Sequence, residues 1–593
     1  MHPASGRTAH LFESVPQQSR YRNRDMEHTH HEHKFDRQIR LWGYHGQAAL
    51  ESAHVLVLGS GPIASEFVKN LIIANVGGFT IVDGATTSEG DSGNNFFVEP
   101  AQIGHPRAEA TAFLLSELNP DRNIQAVVRD PVAWINACAG NPVGPERQCL
   151  KQAKLVLASQ LPLAAAARLC DVMFPMKIPL MFVRGFGLIG YLRIAIEEHA
   201  IMESHSESDR TDLFIHQDQI GSGTFPELAS FLSGFDLTTS DPHALSHIPF
   251  PAILYQLGRQ WVQSHGTLPR SASEIAQFKA LISSHDRLNS ANFEEALRYY
   301  HYATRDPSLR IDSRVTGVLR DPRADDSNLS PQTEPFWILV NALNRFVSGE
   351  GRGFLPVSPS LPDMTADTQT YVALKALYQG KAERDRDAVL RHVHDRLDSL
   401  KMSHDTIPDA LVELFVRNCR TLDVCRMRSL GCDLGPAIDD VARAVVCEAL
   451  DEEQQARDDV SSSMTSDEME GEDPPAMPPN DIHWYIAIKC ADVFLSRHGR
   501  YPGDANDIGG DIKETESIAR DIFKSIGVPA DRINVDTLEE LARFGSSAIH
   551  NTSAFMGGLA AQEALKVVTQ QYVPFNNTCI WNGVHATLAR WSL

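Results

Sequence analysis

The sequence predicts an α/β protein whose sheet domain is interrupted by a long, mostly helical insertion. Three observations carry that prediction. The short apolar run His54-Val55-Leu56-Val57-Leu58 leads into the glycine turn Gly59-Ser60-Gly61, long helical patterns with few strand-like runs follow after about residue 200, and strand-like runs return near the C-terminus. At 593 residues the chain exceeds one ordinary core, and about two to four domains are expected.

Residues 1–33, polar and histidine-rich, are expected to form a disordered tail. The N-terminal part of the α/β domain is assigned to 34–195. Its run at 54–58 suits a buried parallel strand, and the glycines allow the tight turn that releases it into a helix. Pro62 fits the first helical turn, where its missing N–H costs nothing. Ile63, Phe67, Leu71 and Ala74 fall on one stripe of that helix, which ends near Gly77-Gly78 before the strand Phe79–Asp83. Leu155–Ala158 and Pro179–Val183 continue the alternation into a parallel sheet.

Residues 196–450 read as the mostly helical insertion, with Phe336, Leu339, Leu343 and Phe346 at helical spacing. Residues 451–480 hold ten acidic residues against the single Arg457, with prolines at 474, 475, 478 and 479. The segment 451–481 is therefore expected to be an acidic, disordered linker. Residues 482–593 complete the α/β domain. There a helix over Ala554–Val568, capped by Ser553, carries Phe555, Leu559, Gln562 and Lys566 at helical spacing, and Cys579-Ile580-Trp581 forms the final strand.

The formal charge of −22 repels phosphate, so neither nucleic acid nor an anionic membrane is an expected partner. No apolar run of about 18 residues and no apolar signal-peptide core occur, which predicts a soluble intracellular protein. The nine cysteines form no CxxC pair. They are expected to be reduced, without a disulfide framework or a zinc site. Partners should be proteins or small molecules.

Gly59-Ser60-Gly61-Pro62-Ile63-Ala64 fits a loose G-x-G-x-x-A pattern, and Asp83 ends the second strand, where a carboxylate can accept hydrogen bonds from ribose. Alone, this admits an NAD(P)-dependent dehydrogenase or a glycine turn that only permits close packing. The surrounding segments are more specific: Asp36-Arg37-Gln38-Ile39-Arg40-Leu41-Trp42-Gly43, Ser92-Gly93-Asn94-Asn95-Phe96-Phe97, Ser159-Gln160-Leu161-Pro162, Phe336-Trp337-Ile338-Leu339, Gly499-Arg500-Tyr501-Pro502-Gly503 and Phe575-Asn576-Asn577-Thr578. Together they resemble the ThiF-type adenylation superfamily of ubiquitin-like-modifier activating enzymes. Within it they are most similar to the regulatory subunits of neddylation activating enzymes, the amyloid precursor protein-binding protein one family, over residues 34–593. The resemblance implies a Rossmann-like adenylation domain and an insertion that is the counterpart of a catalytic-cysteine domain without its nucleophile. It also implies a cytoplasmic and nuclear scaffold that pairs with a catalytic subunit, which adenylates a neddylation-type modifier and carries it as a thioester.

Adenylation of a carboxylate needs cations on the triphosphate and an acidic group for Mg²⁺. By resemblance, active members place an arginine where this chain has Asn94, a lysine at or two residues before Arg107, and an aspartate where Gln160 falls. Asn94 cannot offset phosphate charge and Gln160 cannot offer magnesium a carboxylate. This chain is thus expected to hold no cofactor, ATP and Mg²⁺ belonging to the partner subunit. Arg37 is the implied exception, reaching in trans to the partner's ATP phosphates; its alternative is a local salt bridge to Asp36 or Glu51.

Cys419, Cys425 and Cys432, near Arg417, Arg420, Arg426 and Arg428, admit either a thiolate or small apolar residues at roughly helical spacing, and the resemblance favours the second. It also implies partner contacts at Asp363, Met364, Ala366, Asp367 and Tyr371 and at His247. The alternatives there are an exposed loop leading into a helix and a structural histidine. The rival functions are a self-sufficient ATP-dependent adenylating enzyme and, less favoured, the dehydrogenase. A SUMO-type regulatory subunit is disfavoured by the long helical insertion.

Overall fold

The computed structural model describes residues 25–205, 212–216, 223–304, 311–463, 478–505 and 507–593. These form two compact units, one from residues up to 199 together with 424–593, the other from 200–423.

The first unit is built on β1 (His54–Leu58), β2 (Gly78–Val82), β3 (Asn123–Val127), β4 (Leu155–Ser159), β5 (Leu180–Phe186) and β6 (Ile189–Ala195). After the separate two-stranded ladder of β7 (His199–Ile201) and β8 (Asp423–Cys425), the sheet is completed by β9 (Thr578–Asn582) and β10 (Thr587–Trp591). Its order is β10-β9-β6-β5-β4-β1-β2-β3. The five strands from β3 to β5 are parallel; β1, β2, β4 and β5, which the apolar runs predict, are buried, whereas the edge strand β3, which no run predicts, is partly exposed. The last three are antiparallel, which the expectation of a parallel sheet does not include. The cause is local: only Gly187 and Leu188 separate β5 from β6, and so short a link permits only a hairpin. Gly187 makes the turn at φ 56°.

The helix Pro62–Ile73 buries Ile63, Phe67 and Leu71 against the sheet and ends at Ile73, ahead of Gly77-Gly78. Gly77 has a different duty: a Cβ there would lie 2.2 Å from the Glu51 carbonyl oxygen. The C-terminal helix runs His550–Thr569 with Ile549 at its N-cap, so Ser553 lies buried in its first turn and does not cap it. The stripe read from the sequence faces outward, with Phe555 and Gln562 exposed. The buried face is Met556, Gly557, Ala560, Ala564 and Val567. Its small residues admit the helix Pro62–Ile73 so closely that a Cβ at Gly557 would meet the Ile63 carbonyl oxygen at 2.8 Å.

Residues 25–33 belong to the helix Asp25–Ser52, and the earlier part of the expected tail lies outside the described residues. The segment 451–481 begins as helix, because Asp440–Ser463 is continuous. Glu453 is buried on that helix, where it meets His483 at 2.9 Å and Arg457 at 2.6 Å. Residues 464–477 lie outside the described residues.

The second unit is helical. Its helix Pro335–Ser348 buries Phe336, Leu339, Leu343 and Phe346, as their spacing predicts. A core of Phe225, Phe250, Phe278, Phe293 and Tyr378 includes one side of the long helix Thr368–Ser399. Among the described residues no helix is long and apolar enough to cross a membrane.

Candidate functional site

The glycine turn leaves β1 with Gly59 at φ 96°, its α-carbon so near Ser159 that a Cβ would meet that residue's carbonyl oxygen at 2.8 Å. Gly61 faces open space. Asp83, buried at the end of β2, is already saturated. Its Oδ2 accepts from the Ser60 amide (2.8 Å), the Ser60 hydroxyl (2.7 Å), Arg107 Nε (3.0 Å) and Arg107 Nη2 (2.8 Å), and its Oδ1 accepts from the Ala85 amide (2.8 Å). Burial pushes this carboxyl up, but the Arg107 charge and the Ala85 and Ser60 donors outweigh it and hold Asp83 below the usual carboxylate range. Arg107 also donates through Nη1 to Asp91 Oδ1 at 2.8 Å. The one cation at this turn that sequence reading singled out is thus neutralised by two carboxylates, and the Asp91 contribution had no sequence signal beyond its capping box with Ser88.

The two substituted positions are fastened to the fold in the same way. Asn94 donates through its side-chain amide to the Ala548 carbonyl oxygen at 3.0 Å, and its main-chain carbonyl oxygen lies 3.1 Å from His550 Nδ1. Asn95 donates to the Ser60 carbonyl oxygen at 3.3 Å and accepts from the Phe97 amide at 3.0 Å. Gln160 sits at φ 54° and pairs its whole amide with Gly185, accepting from the Gly185 N–H at 2.7 Å and donating to its carbonyl oxygen at 3.1 Å. A carboxylate has no donor for the second bond. Neither position offers a carboxylate to magnesium or a charge to phosphate. Among the described residues no group of three metal-ligating side chains converges.

Arg37 lies on the helix Asp25–Ser52, which kinks at Gly43 (φ 68°). Hydrogen bonds fix this segment on the domain: Gln571 to the Trp42 carbonyl oxygen (2.7 Å), Trp42 to Gln47 (3.0 Å), and Gln47 and Asn75 to Glu51 (2.9 and 2.8 Å). Asp36 pairs with Arg40 at 3.0 Å. Both local acids weighed as partners of Arg37 therefore have other partners. Arg37 is exposed, forms no ion pair among the described residues, and lies one helical turn from Leu41, itself 52% exposed.

In the second unit, His247 stacks on His243 with ring centroids 4.2 Å apart, and its Nδ1 meets the His243 carbonyl oxygen at 2.8 Å. Asp367 caps the helix Thr368–Ser399, accepting from the Thr370 hydroxyl at 2.6 Å and amide at 2.9 Å. Those bonds, with a smaller contribution from His247, hold Asp367 below its ordinary range. His247 and the 363–371 segment thus share one neighbourhood. Asp363 is exposed, Met364 packs partly against the core, and Ala366 and Tyr371 are half-buried. Thr365 is tied to Glu295 through its amide at 2.9 Å.

The three cysteines do not share a helix. The helix Asp409–Arg417 ends before the buried Cys419, Cys425 lies in β8, and Cys432 lies in the short turn Leu430–Asp433. Burial pushes the Cys432 thiol up despite Arg193 and Arg428, the opposite of an activated nucleophile.

The ThiF family model matches residues 35–589. The chain is 34% identical over 571 residues to the NEDD8-activating enzyme E1 regulatory subunit of Xenopus laevis, covering 95% of this chain and 98% of the relative. It is 33% identical over 560 residues to the regulatory subunit AXR1 of Arabidopsis thaliana, covering 93% and 94%. The Saccharomyces cerevisiae regulatory subunit is 21% identical over 576 residues, covering 94% and 100%. With a family model matching nearly the whole chain and relatives matched from end to end, the chain belongs to the ThiF family and, within it, to the NEDD8-activating enzyme E1 regulatory subunits.

Proposed function

We propose that this regulatory subunit is a non-catalytic half of a heterodimer in the cytoplasm and nucleus. Its catalytic partner binds ATP and Mg²⁺, adenylates a NEDD8-type modifier and takes it as a thioester. This chain completes the adenylation dimer, helps to position the modifier and lends Arg37 in trans. The observation that carries the reading is that the arginine of its own glycine turn is outweighed: Arg107 is held by both Asp83 and Asp91, while Asn94 and Gln160 are neutral and bonded to the backbone. A triphosphate entering there would displace an ion pair and gain no metal-holding carboxylate. The dehydrogenase reading is not favoured, because the ribose-binding carboxylate that it needs is engaged by Arg107.

Arg37 has the properties a trans-acting group requires. It is unpaired, and its helix is fastened to the domain, so meeting phosphate costs the freedom of its side chain but little of its backbone. The exposed Leu41 beside it supplies apolar surface for a partner. His247, Asp363, Met364, Ala366, Asp367 and Tyr371 form a second candidate contact for the catalytic subunit, on the helical unit.

ATP–pyrophosphate exchange tests both halves of the proposal. The isolated chain with modifier should give no exchange, and the assembled heterodimer should be active. Arg37→Ala should slow the heterodimer by at least about tenfold without weakening assembly; trans-acting arginines in other phosphoryl-transfer enzymes contribute more. An unchanged rate in an intact Arg37→Ala heterodimer would remove Arg37 from the mechanism, and exchange by the isolated chain would favour a self-sufficient adenylating enzyme.

A further inference from the structure

We infer that Lys34 is a second cation that this chain contributes in trans to the partner's triphosphate, an inference that rests on the role proposed for Arg37. Lys34 and Arg37 lie three residues apart on the helix Asp25–Ser52, ahead of its kink at Gly43. Side chains at that spacing are neighbours on a helix surface, their Cβ atoms about 5–6 Å apart. Leu41 follows four residues on, so Lys34, Arg37 and Leu41 form one exposed stripe. Phe35 and Trp42, one heptad apart, are buried and hold the helix on the domain with this stripe outward.

The charges of the segment segregate. Residues 32–41 hold two carboxylates, Glu32 and Asp36, which fall with Arg40 on a separate stripe of spacing four. There Asp36 pairs with Arg40 at 3.0 Å, and Glu32 accepts from the Tyr44 hydroxyl at 3.1 Å. Lys34 forms no ion pair among the described residues. Its ammonium lies 5.2 Å from the ring centroid of Phe35, a contact that leaves the charge uncancelled. Like charges side by side destabilise a helix, and a chain of net charge −22 has carboxylates enough to pair them. Two unpaired cations on one outward stripe are therefore matched to an anion that arrives with the partner.

A triphosphate fits the pair. In adenylation an oxygen of the modifier's carboxylate bonds to the α-phosphorus, the bond from that phosphorus to the bridging oxygen breaks, and pyrophosphate leaves with the electron pair. Cations placed where this charge gathers favour the step. The charge is spread over several oxygens, so a planar guanidinium that takes two of them leaves others for a compact ammonium. Arg37 supplies the fork and Lys34 the point charge.

The test uses the assembled heterodimer. In ATP–pyrophosphate exchange with modifier, Lys34→Ala should raise the KM for pyrophosphate by at least about tenfold, and Lys34→Arg should stay within about threefold of wild type. Assembly, read by gel filtration, should be unchanged. In the wild-type heterodimer ATP and Mg²⁺ should slow acetylation of Lys34 by an amine-reactive ester, read by mass spectrometry, and the isolated chain should show no such protection. Normal exchange kinetics in Lys34→Ala beside a slowed Arg37→Ala would overturn this inference alone. Normal kinetics in both variants would overturn the role of Arg37 and this one with it. Weakened assembly of Lys34→Ala, with unchanged kinetics in the heterodimer that forms, would make Lys34 an interface contact and overturn the inference, as would equal labelling of the heterodimer with and without ATP.

Discussion

Replacing Asp83 by Asn tests whether this subunit's glycine turn is held together by its own ion pair. One oxygen of Asp83 accepts four hydrogen bonds, two from Ser60 and two from Arg107, and the other accepts from Ala85. An amide keeps one acceptor oxygen and turns an N–H toward donors at the other position, whichever way it is flipped. Breaking a buried pair by removing one partner costs about 3–5 kcal/mol. Arg107 keeps Asp91 at 2.8 Å and is 24% exposed at its side chain, which places the expected loss at the lower end, about 3 kcal/mol. For a unit of this size that corresponds to a fall in Tm of about 4 °C, read by calorimetry, with the free energy itself read by urea unfolding.

The pH dependence has a definite sign. Because Asp83 is held below its ordinary range, its contribution is fully present above the unfolded value of about 3.9 and is lost as pH falls through the lower folded value. The difference between wild type and Asp83→Asn should therefore be flat from about pH 5 to 8 and shrink only below about pH 4. A difference smaller than about 0.5 kcal/mol at pH 7, or one that titrates between about pH 5 and 8, would refute the account of a saturated, self-neutralised turn.

Gly77→Ala should destabilise the first unit by about 2–3 kcal/mol in urea unfolding, because its Cβ would meet the Glu51 and Ala53 carbonyl oxygens at 2.2 and 2.9 Å and backbone cannot turn aside as a flexible side chain can. Cys432→Ala should leave thioester formation on the heterodimer unchanged, and wild-type Cys432 should alkylate more slowly than a free thiol at pH 8, since burial raises it; rapid alkylation would contradict this. Burial pushes Glu453 up, yet its bond to His483 and the charges of His483 and Arg457 hold it below its ordinary range. Glu453→Gln should therefore weaken docking of the helix Asp440–Ser463 at pH 7, seen as faster hydrogen exchange there, and the gap from wild type should close below about pH 4.

Much of the site was legible because it is local. The run from His54 to Val82 is strand, turn, helix and strand within thirty residues, and its glycines, proline and apolar stripe each act on their immediate neighbours. The neutral character of Asn94 and Gln160 is likewise a property of residue type. Arg37 was legible as a candidate, but its unpaired state was not, because Asp36 and Glu51 were equally available in the sequence and only packing gave them to Arg40, Gln47 and Asn75. The outward stripe of the helix His550–Thr569 misled for a physical reason: there the buried face was chosen by how closely two backbones approach, which favours Gly557 and Ala560 over larger apolar residues. The acidic start of 451–481 is helical because it continues a helix anchored in the core by Val446, Ala449 and Leu450, and the buried contact of Glu453 with His483 adds to that hold.

By itself the sequence determined the residue types and the local periods: a glycine turn, buried parallel strands, a helical insertion, and the neutral side chains of Asn94 and Gln160. Only the tertiary structure decided which charges cancel, since Arg107 reaches Asp83 across 24 positions and Asn94 reaches Ala548 across 454. It also decided that the sheet turns antiparallel after β5 and leaves β10 with an open edge. Propensity and hydrophobic period act over a few residues, whereas an ion pair or a strand edge depends on which distant segments the packed core brings within a few ångströms.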